Sequence, residues 1–360
     1  MKRLLALDGG GIRGVFSLEV LARIESELRE KTGNPQLVLA DYFDYIAGTS
    51  TGAIIATCLA WGMSVTDVQH LYTTRSIEMF HVAPLYRRFW NKFDADAIIG
   101  VFKVLFSEDG DGKIPALLGT TKLRTLLALV MRNHSTGSPW PVSNNPAAKY
   151  NDPNLPECNL RLPLWQLVRA STAAPVYFPP ETIDLGHRKQ VFVDGGITPY
   201  NNPALLLFLM ATLPAYRLGW ETGVDKMLVV SIGTGRISTG IGKRRGDQMN
   251  MIFHARSLPD ALMDSINHEQ DMICRTIGFC RIGEELDSEL GDFRDVAPSE
   301  MEHRKFTYLR YDHAYSPEEL ELAKHYGRAG LSLDNLLLIP FLQRIGADYA
   351  EGHVRADDLI

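Results

Sequence analysis

The chain has 360 residues, 45% of them hydrophobic and 22% charged, which suits a globular protein with a full core. Its 37 basic and 43 acidic side chains leave a net charge of −6, which argues against a nucleic-acid polymer as partner, since binding one needs a basic surface. Cys58, Cys158, Cys274 and Cys280 show no C-x-x-C spacing, so neither a disulfide framework nor a zinc site is expected, and a reducing cytosol is the default.

Met1 to Leu7 faintly imitates a signal peptide, but Asp8 and the glycines after it end the apolar run too early. No stretch reaches the ~18 uninterrupted apolar residues of a membrane span, so a soluble, cytoplasmic chain is expected.

Leu4 to Leu7 reads as a short strand ending in Asp8-Gly9-Gly10-Gly11-Ile12-Arg13-Gly14. Val15, Leu18, Leu21, Ala22, Ile24 and Leu28 then recur at helical spacing, with Gly33 as the stop. Tyr42 to Ala47 is a second β-like run, Gly48-Thr49-Ser50-Thr51-Gly52 a turn, and Ala53 to Trp61 an apolar, buried helix. Strand, glycine turn and helix thus occur twice in succession, the rhythm of an α/β fold with a parallel sheet.

From His81 to Phe106 aromatic and basic residues mix. Ser107 to Gly112 is a polar loop, and Ser135 to Pro156 a long excursion rich in Pro, Asn, Ser and Gly. Leu164 to Ala173 reads as a helix closing at Ala174-Pro175. Val191 to Val193 is a strand ending at Asp194-Gly195-Gly196, and Met227 to Ile232 another ending at Gly233-Thr234-Gly235. Beyond Arg236 the chain turns polar and helical. The division expected is an α/β domain over residues 1–235 and a helical C-terminal extension over 236–360, packed on it.

Gly48-Thr49-Ser50-Thr51-Gly52 fits G-x-S-x-G, the nucleophile elbow. A turn this tight needs Gly48 and Gly52 to avoid clashes, and it lifts the Ser50 hydroxyl to the positive end of the next helix. A plain glycine-rich turn is the bland alternative. Gly9, Gly11 and Gly14 fit G-x-G-x-x-G, which also admits a nucleotide-binding sensor or an oxidoreductase. That fingerprint wants an acidic residue closing the second strand, and here the second strand runs into the elbow instead. Backbone N–H groups of such a loop can instead point at a developing oxyanion. Asp194, taken alone, reads as a turn aspartate capping a loop.

Taken together and in order, Asp8 to Gly14, Gly48 to Gly52, Ala170-Ser171-Thr172-Ala173-Ala174-Pro175-Val176-Tyr177-Phe178-Pro179, and Asp194-Gly195-Gly196 resemble the patatin-like phospholipase series. Val230 to Gly235 resembles the strand and turn that close this domain in bacterial members. The resemblance implies a three-layer α/β/α fold with a mainly parallel central sheet. It implies a Ser50–Asp194 dyad in place of a triad, and Gly10, Gly11, Ile12 and Arg13 as the oxyanion loop. No cofactor is expected, and with no H-E-x-x-H, paired cysteines or calcium loop in the sequence no metal is expected either. An aspartate with an ordinary pKa of about 3.9 is a feeble base, and desolvation beside an acyl pocket would raise it. Gly195 and Gly196 would let the backbone turn so that the carboxylate faces the elbow.

A triad would instead draw its histidine from His254, His268, His303, His313 or His325. The Thr172 to Pro179 segment reads as structural, lining the site and turning the chain. Phe80, Tyr86, Phe89, Trp90 and Phe93, interleaved with Arg87, Arg88 and Lys92, suit either a lipid headgroup interface or a core helix with snorkelling cations. Both loops, 107–112 and 135–156, are candidates for a lid or rim. The activity implied is cleavage of fatty-acyl esters at a phospholipid membrane surface, with peripheral association at the inner membrane. Compact bacterial members with such an extension also resemble anti-phage effectors switched on by cyclic oligonucleotides, which adds a cyclic nucleotide as activator. A homo-oligomer is left open.

Overall fold

Leu5 and Leu7 face one core and Leu4 and Ala6 another, so the first strand is apolar on both sides, as a central parallel strand must be. The computed structural model describes residues 1–79, 93, 95–186, 188–237, 251–327 and 330–360, with the side chains of 76–79, 251–260 and 298 outside the description. Among these residues nine strands form one sheet: β1 (Lys2–Leu7), β2 (Tyr45–Thr49), β3 (Leu126–Asn133), β4 (Ser138–Ser143), β5 (Glu181–Asp184), β6 (Lys189–Asp194), β7 (Met227–Ile232), β8 (Phe279–Ile282) and β9 (Thr307–Tyr311). Their order is β5-β6-β3-β2-β1-β7-β9-β8, with β4 also paired to β3. The run from β3 to β8 is parallel, whereas β4, β5 and β6 pair antiparallel.

The alternation continues across the sheet. Ile46, Leu129, Val230 and Leu309 join Leu5 and Leu7 beneath the helices Gly14–Thr32, Thr51–Ala60, Leu164–Ser171 and Ile339–His353. Tyr45, Ala47, Val130, Val229 and Tyr308 join Leu4 and Ala6 beneath Ala204–Thr212 and Met251–Ile277. Helices therefore cover both faces, the three-layer α/β/α arrangement.

The segment after Arg236 is helical in the main, with its longest helix at Met251–Ile277, and it also supplies β8 and β9. β9 pairs with β7 through Leu228↔Thr307 to Ile232↔Tyr311, so the sheet crosses the expected boundary at 235/236 without a break. These strands are short and carry Arg281 and Arg310 among their apolar residues, which makes them read as polar chain. β2 starts at Tyr45, later than the Tyr42 expected, because Leu39–Tyr42 closes a helical turn first.

Candidate active site

Two strands that approach from opposite directions meet on β3. Val130 of β3 pairs with Thr49, the last residue of β2, and the next residue, Met131, pairs with Asp194, the last residue of β6. The turns that leave these strand ends thus face each other, and the Ser50 hydroxyl donates to Asp194 Oδ2 at 2.6 Å.

Ser50 holds φ 55° and ψ −123°, a strained conformation for a residue with a side chain. The helix Thr51–Ala60 follows directly, so the hydroxyl stands at that helix's positive end. A Cβ on Gly48 would come within 2.1 Å of the Gly52 carbonyl oxygen, and one on Gly52 within 2.3 Å of the Leu7 carbonyl oxygen. Both contacts are with backbone, so neither glycine can carry a side chain while the elbow keeps its shape.

Asp194 is buried, and its second oxygen, Oδ1, accepts the Gly196 N–H at 2.7 Å. Burial pushes its pKa from the ordinary 3.8 up to about 6, while the Ser50 hydroxyl, the Gly196 N–H and the Arg169 guanidinium restrain the rise. The carboxylate is thereby a stronger base than a solvated aspartate yet still ionised near neutrality. A Cβ on Gly195 would strike the Val130 carbonyl oxygen at 2.4 Å, so the sharp turn after the aspartate requires glycine.

The helix end at Arg169 and Ser171, with Ala173 of the segment read from sequence as structural, braces the backbone of both Ser50 and Asp194. Ser171 Oγ accepts the Ser50 N–H at 3.0 Å and donates to the Val130 carbonyl at 2.6 Å. The Ala173 carbonyl accepts the Asp194 N–H at 3.0 Å. Arg169, almost wholly buried, donates from Nη2 to the Pro179 carbonyl at 2.7 Å and lies over the Phe178 ring.

Of the four N–H groups expected to form an oxyanion loop, Gly10 and Gly11 line the cavity beside Ser50 and are committed to no acceptor among the described residues. The other two are engaged: Ile12 N–H donates to the Leu333 carbonyl at 2.8 Å, and Arg13 N–H turns back to the Gly10 carbonyl at 3.1 Å. The loop is packed closely. Cβ atoms on Gly9, Gly10, Gly11 and Gly14 would meet Asn201, Thr234, Leu333 and Thr51 at 2.2–2.6 Å. That packing requires glycine at these four positions.

The cavity holds about 150 Å3 and carries Ile54, Tyr72, Ile98, Val176, Phe178 and Ile197 on its walls. No lysine, arginine or histidine lines it among the described residues. Such a lining suits an acyl chain better than a phosphate. Met263, Leu333 and Asp334 of the extension complete it, a contribution no motif announces.

His268, His303, His313 and His325 all lie away from this cavity, and His313 is bound through Nε2 to Glu319 at 2.9 Å. The His254 side chain lies outside the described residues. So do Phe80, Tyr86, Arg87, Arg88, Phe89, Trp90 and Lys92 of the aromatic and basic stretch. Phe93 is described, and it is core: 3% exposed, stacked on Tyr177 and tilted against Phe178.

Residues 5–208 match the model of a family described as patatin-like phospholipase. The chain is 31% identical over 218 residues to a cGAMP-activated phospholipase of Vibrio cholerae, covering 57% of this chain and 56% of that protein. It is 30% identical over 244 residues to patatin-like protein 4 of Arabidopsis thaliana, with 64% and 59% covered. It is 25% identical over 283 residues to probable inactive patatin-like protein 9 of the same plant, with 75% and 70% covered. The chain thus spans less than two thirds of the first two of these relatives.

Proposed function

We propose that this chain, which belongs to the patatin-like phospholipase family, is a lipid acyl hydrolase that cleaves fatty-acyl esters of phospholipids with Ser50 as nucleophile and Asp194 as base. The observation that carries the reading is the 2.6 Å hydrogen bond from Ser50 Oγ to a buried carboxylate, at the foot of an apolar cavity.

In the reaction, Ser50 Oγ attacks the ester carbonyl carbon as its proton passes to Asp194 Oδ2. Negative charge grows on the carbonyl oxygen, and the uncommitted Gly10 and Gly11 N–H groups are the donors at hand to stabilise it. The tetrahedral intermediate collapses, the C–O bond to the glycerol oxygen breaks, and Asp194 returns the proton to that oxygen. An acyl-Ser50 ester remains, for water to hydrolyse. The apolar walls would hold the acyl chain, and the site would draw it from a membrane surface without crossing the membrane. Among the described residues no helix is long and apolar enough to span one.

A second reading concerns control. The Leu333 carbonyl caps the Ile12 N–H, and Leu333, Asp334 and Met263 line the cavity, so the extension can govern both the oxyanion loop and access to Ser50. One relative is named for activation by cGAMP. We infer a cyclic nucleotide as the activator here, acting through the extension in the cytoplasm, at the inner membrane and in defence against phage. Fatty-acid release from mixed phospholipid vesicles, with and without cyclic nucleotides, tests both readings. Ser50→Ala is expected to abolish release and fluorophosphonate labelling, and turnover by that variant overturns the hydrolase. Full activity indifferent to every cyclic nucleotide overturns the activation.

A further inference from the structure

Asn201 is completely buried and lines the same cavity as Ser50 and Asp194. Its Nδ2 donates to the Gly9 carbonyl at 3.3 Å and to Asn267 Oδ1 at 3.0 Å. A backbone carbonyl can only accept, so the Gly9 contact fixes which way the amide faces. The remaining atom, Oδ1, is buried with no hydrogen-bond partner among the described residues. Leaving an acceptor dry in this way is costly, and such atoms in native proteins commonly hold water or a reactant.

The position of that oxygen indicates which. A Cβ on Gly196 would lie 3.0 Å from Asn201 Oδ1 and 3.1 Å from Asp194 Oδ1, so the two oxygens flank one small space that glycine keeps open. They are therefore no more than about 6 Å apart, a span one water can bridge. Both are acceptors. A water between them gives away both hydrogens and turns a lone pair outward, the orientation a nucleophile needs.

We propose that Asn201 is a catalytic residue for the second half of the reaction, holding the water that hydrolyses acyl-Ser50. The proposal rests on the hydrolase reading. Once Ser50 is acylated it no longer donates to Asp194, and the carboxylate is free to act on water. The water oxygen attacks the acyl carbonyl carbon, one of its protons passes to Asp194, and the other stays on the attacking oxygen, hydrogen-bonded to Asn201 Oδ1. Collapse breaks the bond to Ser50 Oγ, which regains the proton from Asp194, and a free fatty acid departs.

The test separates acylation from deacylation in the full chain under activating conditions, using a chromogenic acyl ester with stopped-flow detection and fluorophosphonate labelling. In Asn201→Ala the labelling rate and the first turnover are expected to fall far less than steady-state turnover, the loss of the Nδ2 bond to the Gly9 carbonyl accounting for the smaller effect. Steady-state turnover should fall about tenfold or more, leaving a burst of product and an accumulated acyl-enzyme. Added methanol, which carries one proton fewer to place, should restore part of the turnover as methyl ester. Asn267→Ala removes a partner of Nδ2 but leaves Oδ1 in position, and is expected to show no burst. A fall in labelling and turnover by the same factor in Asn201→Ala, or no change in either, overturns the assignment. Wild-type protein that neither labels nor turns over would sink the hydrolase reading itself, a separate result.

Discussion

Arg310 grips both carboxylate oxygens of Asp8, at 3.0 Å through Nη1 and 2.7 Å through Nη2, and so ties β9 of the extension to the mouth of the glycine loop. Asp312 and Ser231 share the same buried guanidinium, and the two carboxylates keep it firmly protonated. Removing one partner of a buried ion pair leaves an uncompensated charge, so Arg310→Met is expected to cost about 3–5 kcal/mol, read from urea midpoints. Asp8→Asn added to Arg310→Met should cost less than the two changes summed. A chain ended after residue 235 would bare the β7 edge as well as Asp8, and is expected to be insoluble. A soluble, active 1–235 fragment would contradict this account.

Acylation should show an acidic limb near pH 6, because the raised Asp194 must be ionised to accept the serine proton. Below that value the rate is expected to fall about tenfold per pH unit. Asp194→Asn should lose nearly as much activity as Ser50→Ala, and the double variant little more, since the pair acts as one unit. His268→Ala, His303→Ala, His313→Ala and His325→Ala should each keep most of their turnover. A folded but dead histidine variant would restore a triad.

The same raised pKa has a consequence for stability. A carboxyl that binds its proton more tightly in the folded state contributes stability fully below its unfolded value near 3.8, and that contribution is lost as pH rises to about 6. Relative to wild type, Asp194→Asn should therefore gain up to about 3 kcal/mol across this window, visible as a Tm difference that widens from pH 4 to pH 7. A constant difference would mean that Asp194 is not perturbed.

Ser50 stores backbone strain that glycine would relieve. Ser50→Ala and Ser50→Gly both remove the hydroxyl and its bond to Asp194, so their difference isolates the φ of 55°. Ser50→Gly is expected to be the more stable of the two by about 1–3 kcal/mol, measured by denaturant unfolding, with both inactive. Equal stabilities would show that the elbow is relaxed.

Val176 is 74% exposed, lines the cavity and holds φ 75°, which is costly for a β-branched residue. An exposed apolar side chain at the rim is suited to meet lipid. Val176→Asp should depress hydrolysis of vesicles at least tenfold while sparing a soluble short-chain ester, because an interfacial contact matters only where there is an interface. Parallel losses on both substrates would assign Val176 to the cavity wall instead.

The elbow, the glycine loop and the Asp194 turn were legible in the sequence because each is a local steric demand. Gly48, Gly52 and Gly195 must lack side chains wherever such a strand ends in such a turn, and that requirement is written into a few consecutive residues. The parallel sheet was legible for the same reason, in the repeated strand, glycine and helix. The resemblance paired Ser50 with Asp194, but only the tertiary structure shows what brings them together: their strands' pairing with the consecutive residues Val130 and Met131 of β3, a strand no motif marks. It also decided that Leu333 takes the Ile12 N–H, that Asn201 Oδ1 is buried without a partner among the described residues, and that Arg310 answers Asp8 from 302 residues away. Such contacts depend on burial and register across the whole sheet, and a residue's neighbours in the chain carry no trace of them.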